Sequence, residues 1–184
     1  TPTTASTTPT TVASPTENVA RAFFAGWVGH NTGVLETYGT TAAVTQAIAG
    51  STGGTTGFVF SECSGAAGSI YCTWVRTAES VVLQTDDVSP THRVINFSRK
   101  SLDGSAVADE FFNAWQAGSF AALSVLGNTT SAAAAVAQKS QRERSWSPSP
   151  CDGAAGSLYC TWRAGSAKIV LQIVSIQPPV RVIS

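Results

Sequence analysis

The sequence predicts an α+β protein, a tandem duplication in which each unit packs N-terminal helices on an antiparallel sheet of about four strands. Three observations carry this expectation. Apolar residues at helical spacing open each half, segments rich in β-branched and aromatic residues follow, and the succession recurs without a gap 88 positions on, Cys63 and Cys72 falling on Cys151 and Cys160. The run VLQ at 82–84 falls on 170–172 and RVI at 93–95 on 181–183; roughly one third of the pairs aligned from Glu17 to Ile95 are identical. The expected division is a tether over 1–16, a first unit over 17–100 and a second over 101–184.

Taken in order, the tract TPTTASTTPTTVASPT holds eight Thr and three Pro. It buries too little apolar area to offset the ordering of its backbone, about 1 to 2 kcal/mol per residue, and reads as an extended spacer. Val19, Phe23, Phe24 and Trp27 recur at i, i+4, i+5 and i+8, one face of a helix with Thr16 as N-cap candidate. Val107, Phe111, Phe112 and Trp115 repeat the pattern. In the second unit Gly118 is expected to end the first helix, Ser119 to cap the next and Gly127 to end that one. A third helix on SAAAAVAQ takes Thr129 or Thr130 as its cap, and TTAAVTQAIAG is its counterpart in the first unit.

The segments FVFSEC, SIYCTWV, SVVLQT and HRVINF then read as a meander. In the second unit the first of these becomes WSPSPC, whose two prolines demote it to an edge strand or an extended loop. With the helices on one face of each sheet, the other face must meet solvent, the sister unit or a partner. Alternation assigns Ile70, Cys72 and Trp74 to the inner face and Tyr71 to the outer, with Leu158, Cys160, Trp162 and Tyr159 following suit.

Composition narrows the function classes. Charged residues make up 12% of the 184, about half the roughly 25% usual in soluble domains, while 43% are hydrophobic. Eleven Lys and Arg balance eleven Asp and Glu. A neutral chain lacks the positive field that nucleic-acid binding needs, so no such partner is expected. No apolar run reaches the roughly 20 residues of a spanning helix. The absence of Met is read as the mark of a processed, exported chain, whose membrane tether would run through a removed or lipidated N-terminus.

The only Cys residues lie in CSGAAGSIYCTW and its copy CDGAAGSLYCTW. Small residues and Gly between the sulfurs suit a tight turn, and a hairpin there sets Cys63 opposite Cys72 and Cys151 opposite Cys160, so one disulfide is expected in each unit. The alternative, four thiolates on zinc, fits poorly: nine-residue spacings replace C-x2-C, and His30 and His92 have no counterparts in the second unit. No metal or cofactor is expected. Disulfides in turn imply an oxidising compartment, extracellular or in the cell envelope.

Binding candidates are the polar and aromatic residues that recur on outward strand positions: Tyr71 and Tyr159, Gln84 and Gln172, Arg93 and Arg181. The bland reading of such residues is that they keep a sheet face soluble. Catalytic constellations are lacking, since neither His30 nor His92 has a nucleophile beside it. Asp86 with Asp87, and Asp109 with Glu110, are sequence neighbours that point to different faces. QKSQRER at 138–144 reads as the solvated end of a helix.

The pattern C-x-GAAGS-x-YC-x-W behind an FF-x-x-W helix resembles a family of uncharacterised secreted or lipid-anchored actinobacterial proteins of the NTF2-like, cystatin-like class, over about 17–184. The resemblance implies helices packed in the curve of an antiparallel sheet, and brings no activity with it. In being a tandem of helix-plus-sheet units with a disulfide in each, the chain is also similar in architecture to the β-lactamase inhibitor protein, which implies a protein-binding sheet surface. The expected function is a non-enzymatic extracellular or envelope protein that binds an unknown protein or small ligand, its two units packed on each other. The alternative is a small-molecule carrier or an NTF2-like enzyme with a pocket between helices and sheet.

Overall fold

The computed structural model describes residues 13–154, 156–174 and 181–183, with the side chains at 154 and 181 left aside. The tract 1–12, most of the expected tether, lies outside the described residues.

The architecture is α+β with two antiparallel sheets. Helices α1 (Pro15–Val28), α2 (Thr32–Tyr38) and α3 (Thr41–Ala49) precede strands β1 (Val59–Ala66), β2 (Ser69–Arg76), β3 (Glu79–Asp86) and β4 (Val94–Ser101). Then come α4 (Gly104–Ala117), α5 (Phe120–Leu126), α6 (Thr129–Ala137) and a short 3-10 turn at Lys139–Gln141. Strands β5 (Ser147–Ala154), β6 (Ser157–Ala164), β7 (Ala167–Val174) and β8 (Arg181–Val182) close the chain. Strand order follows chain order in both sheets, as hairpin connections require.

The helix stops fall where expected. Gly118 takes the left-handed conformation (φ 76°) that ends α4, and the Ser119 hydroxyl accepts from the Ala122 amide to start α5. Two caps differ from expectation. The cap of α1 is Ser14, whose extended backbone lets its hydroxyl accept from the Glu17 amide; Pro15 takes the first helical position, so Thr16 already lies inside the helix. Thr16 is buried there and donates its hydroxyl to the Asp87 carboxylate, so the last residues assigned to the tether belong to the fold. Likewise the cap of α6 is Asn128, not Thr129 or Thr130, because its amide oxygen reaches the Ser131 amide at 2.8 Å.

Each sheet packs its inner face on its own helices around a matching aromatic cluster. Phe24 stacks on Trp74 at 4.3 Å and 6°, and Phe112 on Trp162 at 4.5 Å and 4°. The indole of Trp27 donates to the Ala47 carbonyl and that of Trp115 to the Ala135 carbonyl. Strand β5 is an edge strand that keeps Pro148 and Pro150 by means of a bulge between Ser149 and Asp152.

The outer faces have different fates. β2 is buried on both faces over Cys72–Val75, because α4 and α5 of the second half lie across the outer face of the first sheet near β1 and β2. Val75, fully buried, joins the second hydrophobic core together with Leu123 and Leu126, and Val59 packs against it. The Ser119 hydroxyl donates to the Phe60 carbonyl at 2.8 Å across this contact. On the second sheet the corresponding face is open: Arg163 stands 88 positions after Val75 and Lys168 after the buried Ser80, and both are exposed.

Candidate functional site

The sequence-derived binding residues separate into two kinds of place. Tyr71 faces Gln84 across β2 and β3, and Tyr159 faces Gln172 across β6 and β7. Gln84 donates to the Ser69 hydroxyl and Gln172 to the Ser157 hydroxyl, each at 3.1 Å. These are neat cross-strand pairs on the outer faces, half-buried at Tyr71 and exposed at Tyr159 (36%). Arg93 is elsewhere: its guanidinium donates to the Glu36 and Gly39 carbonyls and ties the start of β4 to the end of α2. The side chain of Arg181 lies outside the described residues.

Cys63 is bonded to Cys72 and Cys151 to Cys160, with Cα atoms 4.0 and 4.2 Å apart. Both pairs lie within a hairpin, Cys63 directly opposite Cys72 in the ladder. The disulfides fit an oxidising, extracellular compartment. No helix among the described residues is long and apolar enough to cross a membrane.

The titratable residues weighed for catalysis are dispersed into local structural work. Asp86 accepts from the Val88 and Ser89 amides and shapes the turn after β3, while Asp87 receives the Thr16 hydroxyl. His92 has its Nδ1 3.4 Å from the Asp86 carbonyl, and His30 its Nε2 3.4 Å from the Thr55 hydroxyl. Glu110 is different. Burial raises its pKa above the ordinary carboxylate range, and Glu62 and Asp109 push the same way against the opposing charge of Lys100. Burial likewise raises Glu62. The two carboxylates thus share the layer between the halves, where β1 of one meets α4 of the other.

A groove of about 440 Å³ lies in the second half, between α4, α6 and β7. Its apolar floor is Phe111, Phe112, Trp115, Ile169 and Leu171, with Trp146 and Ala134 on its walls. Ser131, Gln138, Gln141 and Lys168 supply polar groups around it. The first half shows what occupies the equivalent space there. There β4 pairs with β3 along Glu79–Thr85 and seats Phe97 (5% exposed) 5.2 Å from Trp27. Its amide donates to Gln46 Oε1 at 2.9 Å, and Gly50 is close enough that an added Cβ would meet the ring at 2.6 Å. Behind it Arg99 donates to the Gly50 and Thr52 carbonyls and pairs with Glu79. In the second half β8 pairs with β7 only at Ile173 and Val174, and no described strand faces 167–171. The residues 88 positions after Trp27, Gln46, Gly50, Val81 and Leu83 are Trp115, Ala134, Gln138, Ile169 and Leu171, all of which line the groove.

Sequence reasoning missed this site because its members read singly as core residues. Compared with family models, with curated proteins and with solved structures, the chain matches none of them.

Proposed function

We propose that the chain is a non-enzymatic extracellular or cell-envelope binding protein, a tandem of two NTF2-like units with a groove in the second that receives the ligand. The single observation that carries this reading is the groove over Trp115. Among the described residues it leaves about 440 Å³ open between helices and sheet, lined by aromatic and aliphatic side chains. Open apolar surface of that kind, rimmed by a few polar groups, is the usual form of a binding site. The outer sheet faces, first choice on sequence grounds, are weaker candidates. One is partly covered by α4 and α5, and the other pairs its Tyr159 with Gln172.

Tandem duplication is supported by contacts that recur at one offset, among them both indole hydrogen bonds and both stacked Phe–Trp pairs. A small-molecule carrier is the second reading, favoured by the position of the groove between helices and sheet. The test is a titration with indole or phenol, followed through the indole N–H resonances of Trp115 and Trp146. A saturable shift at both, abolished by Ala134→Trp, is expected; unchanged spectra at millimolar probe would remove the groove as a binding site.

A further inference from the structure

We propose that the first unit carries a binding site of its own, a cleft where its three helices meet, which holds one small phenol-like ring with its hydroxyl donated to the imidazole of His30. The inference goes beyond the groove over Trp115, because every residue that lines this cleft belongs to the first unit.

The cleft measures about 200 Å³ and is lined by Trp27, His30, Thr32, Leu35, Ile48 and Ser51, from the end of α1, from α2 and from the end of α3. A drug-sized ligand needs roughly 300 to 1,000 Å³, so the space suits a single ring. Trp27, its floor, is 1% exposed, whereas Ile48 on its rim is 54% exposed.

His30 is placed there against its backbone preference. It takes φ 51°, in the left-handed region, directly after the Gly29 cap of α1. Glycine is the usual occupant of such a position, and Gly118 (φ 76°) fills it 88 positions on. A hydroxyl orients the imidazole. Thr55, buried, donates its proton to the Val28 carbonyl at 3.1 Å, so its oxygen can only accept from His30 Nε2, 3.4 Å away. That fixes the proton of the neutral ring on Nε2 and leaves Nδ1 an acceptor. An oriented acceptor beside apolar walls calls for a donor on an apolar body, which is a hydroxyl on a ring. None of the lining residues is Lys or Arg, so a carboxylate would meet no cation beside the neutral imidazole.

The second unit shows how this corner is otherwise closed. Gly54 stands where that unit has Arg142. Arg142 lays its guanidinium against Gly118, so close that an added Cβ would meet Nη1 at 2.7 Å. An imidazole and the arginine therefore exclude each other at this corner. Phe120 and Lys139 likewise take the places of Thr32 and Ser51. Of the two copies, one covers the corner with a long cation and the other leaves it open beside an exposed His30.

The probe is phenol at millimolar concentration, titrated into the full chain carrying Ala134→Trp, which fills the groove of the second unit, while the His30 ring and Trp27 indole N–H resonances are followed. A saturable shift of both is expected. Anisole, which has the ring without the donor, should bind at least tenfold more weakly, and benzoate should leave both resonances in place. His30→Gly should abolish the Trp27 shift without lowering the thermal midpoint, and His30→Asn, which also tolerates the left-handed backbone, should abolish it too. Thr55→Val, which frees the imidazole to turn, should weaken phenol several-fold. Equal affinity for anisole and phenol, an unchanged phenol affinity in His30→Gly, tighter binding of benzoate than of phenol, or no saturable shift would each overturn the proposal. The groove is read separately, at Trp115 and Trp146 of the parent chain, so either site can fail alone.

Discussion

Replacing Phe97 by Ala should open a cavity in the first core, beside Trp27. Phe97 is 5% exposed, lies 5.2 Å from Trp27 and is pressed against Gly50, so the ring has close neighbours on both sides. Deleting a buried Phe side chain costs about 3 to 5 kcal/mol, the transfer of the ring plus the cavity left behind. With a urea m-value of about 2 kcal/mol/M for a domain of ordinary size, the midpoint should fall by roughly 1.5 to 2.5 M. The assay is urea unfolding followed by near-ultraviolet circular dichroism, which reports the packed indoles. Phe97→Leu, which keeps most of the apolar volume, should cost at most about 1.5 kcal/mol. A loss below about 1 kcal/mol in Phe97→Ala would refute the reasoning, because the first core would then not depend on β4 at this level.

Val75→Ala removes two methylene equivalents from the layer between the units, and at about 0.8 kcal/mol each plus a cavity it should destabilise by roughly 2 to 3 kcal/mol. Arg163→Val, at the matching but exposed position, should stay within about 0.5 kcal/mol, and a common denaturation protocol compares the two. The double variant Cys63→Ala, Cys72→Ala should lose roughly 2.7 kcal/mol, the chain-entropy value for a loop of about ten residues, seen as a lower thermal midpoint. Glu110→Gln tests the half-buried carboxylate. Because the folded state holds the Glu110 proton more firmly than the unfolded state does, this group's contribution is present at low pH and is lost as pH rises from the usual carboxylate value, about 4.3, through the raised one. The variant should therefore gain stability relative to the parent between pH 4 and pH 7. Melting curves at four pH values read this, and a difference that does not grow with pH would remove the burial of Glu110 from the account.

Much of this architecture is legible in the residues because it is decided locally. Gly118 and Ser119 punctuate two helices through their own backbone and hydroxyl, and the CSGAAGSIYC hairpin needs only its own turn to align its sulfurs. The cap of α1 went unrecognised because Ser14 sits in a run of Thr, Ser and Pro that reads uniformly as spacer, whereas Pro15 at the first helical position marks the start. That the two units pack on each other was expected from the sequence, but not which faces meet. Alternation placed Val75 on an outer face without saying what covered it; only its comparison with Arg163, and of Ser80 with Lys168, shows that one outer face is written for contact and the other for water. The groove was no more legible, because Trp115 has the same spacing as the packed Trp27.

Helices of one unit resting on the sheet of the other make a heterologous contact, in which two different surfaces meet and no twofold axis closes the pair. Such a joint can in principle be repeated by translation and rotation without end, each sheet receiving the helices of a further unit or a further molecule, as in a solenoid or a filament. The positions that would form the next joint carry Arg163 and Lys168 instead of Val75 and Ser80, and burying two unpaired cations there would cost several kcal/mol. These two cations disfavour a further joint of the same kind on the second sheet, and neutralising both should promote association there, read as a rise in apparent mass with concentration.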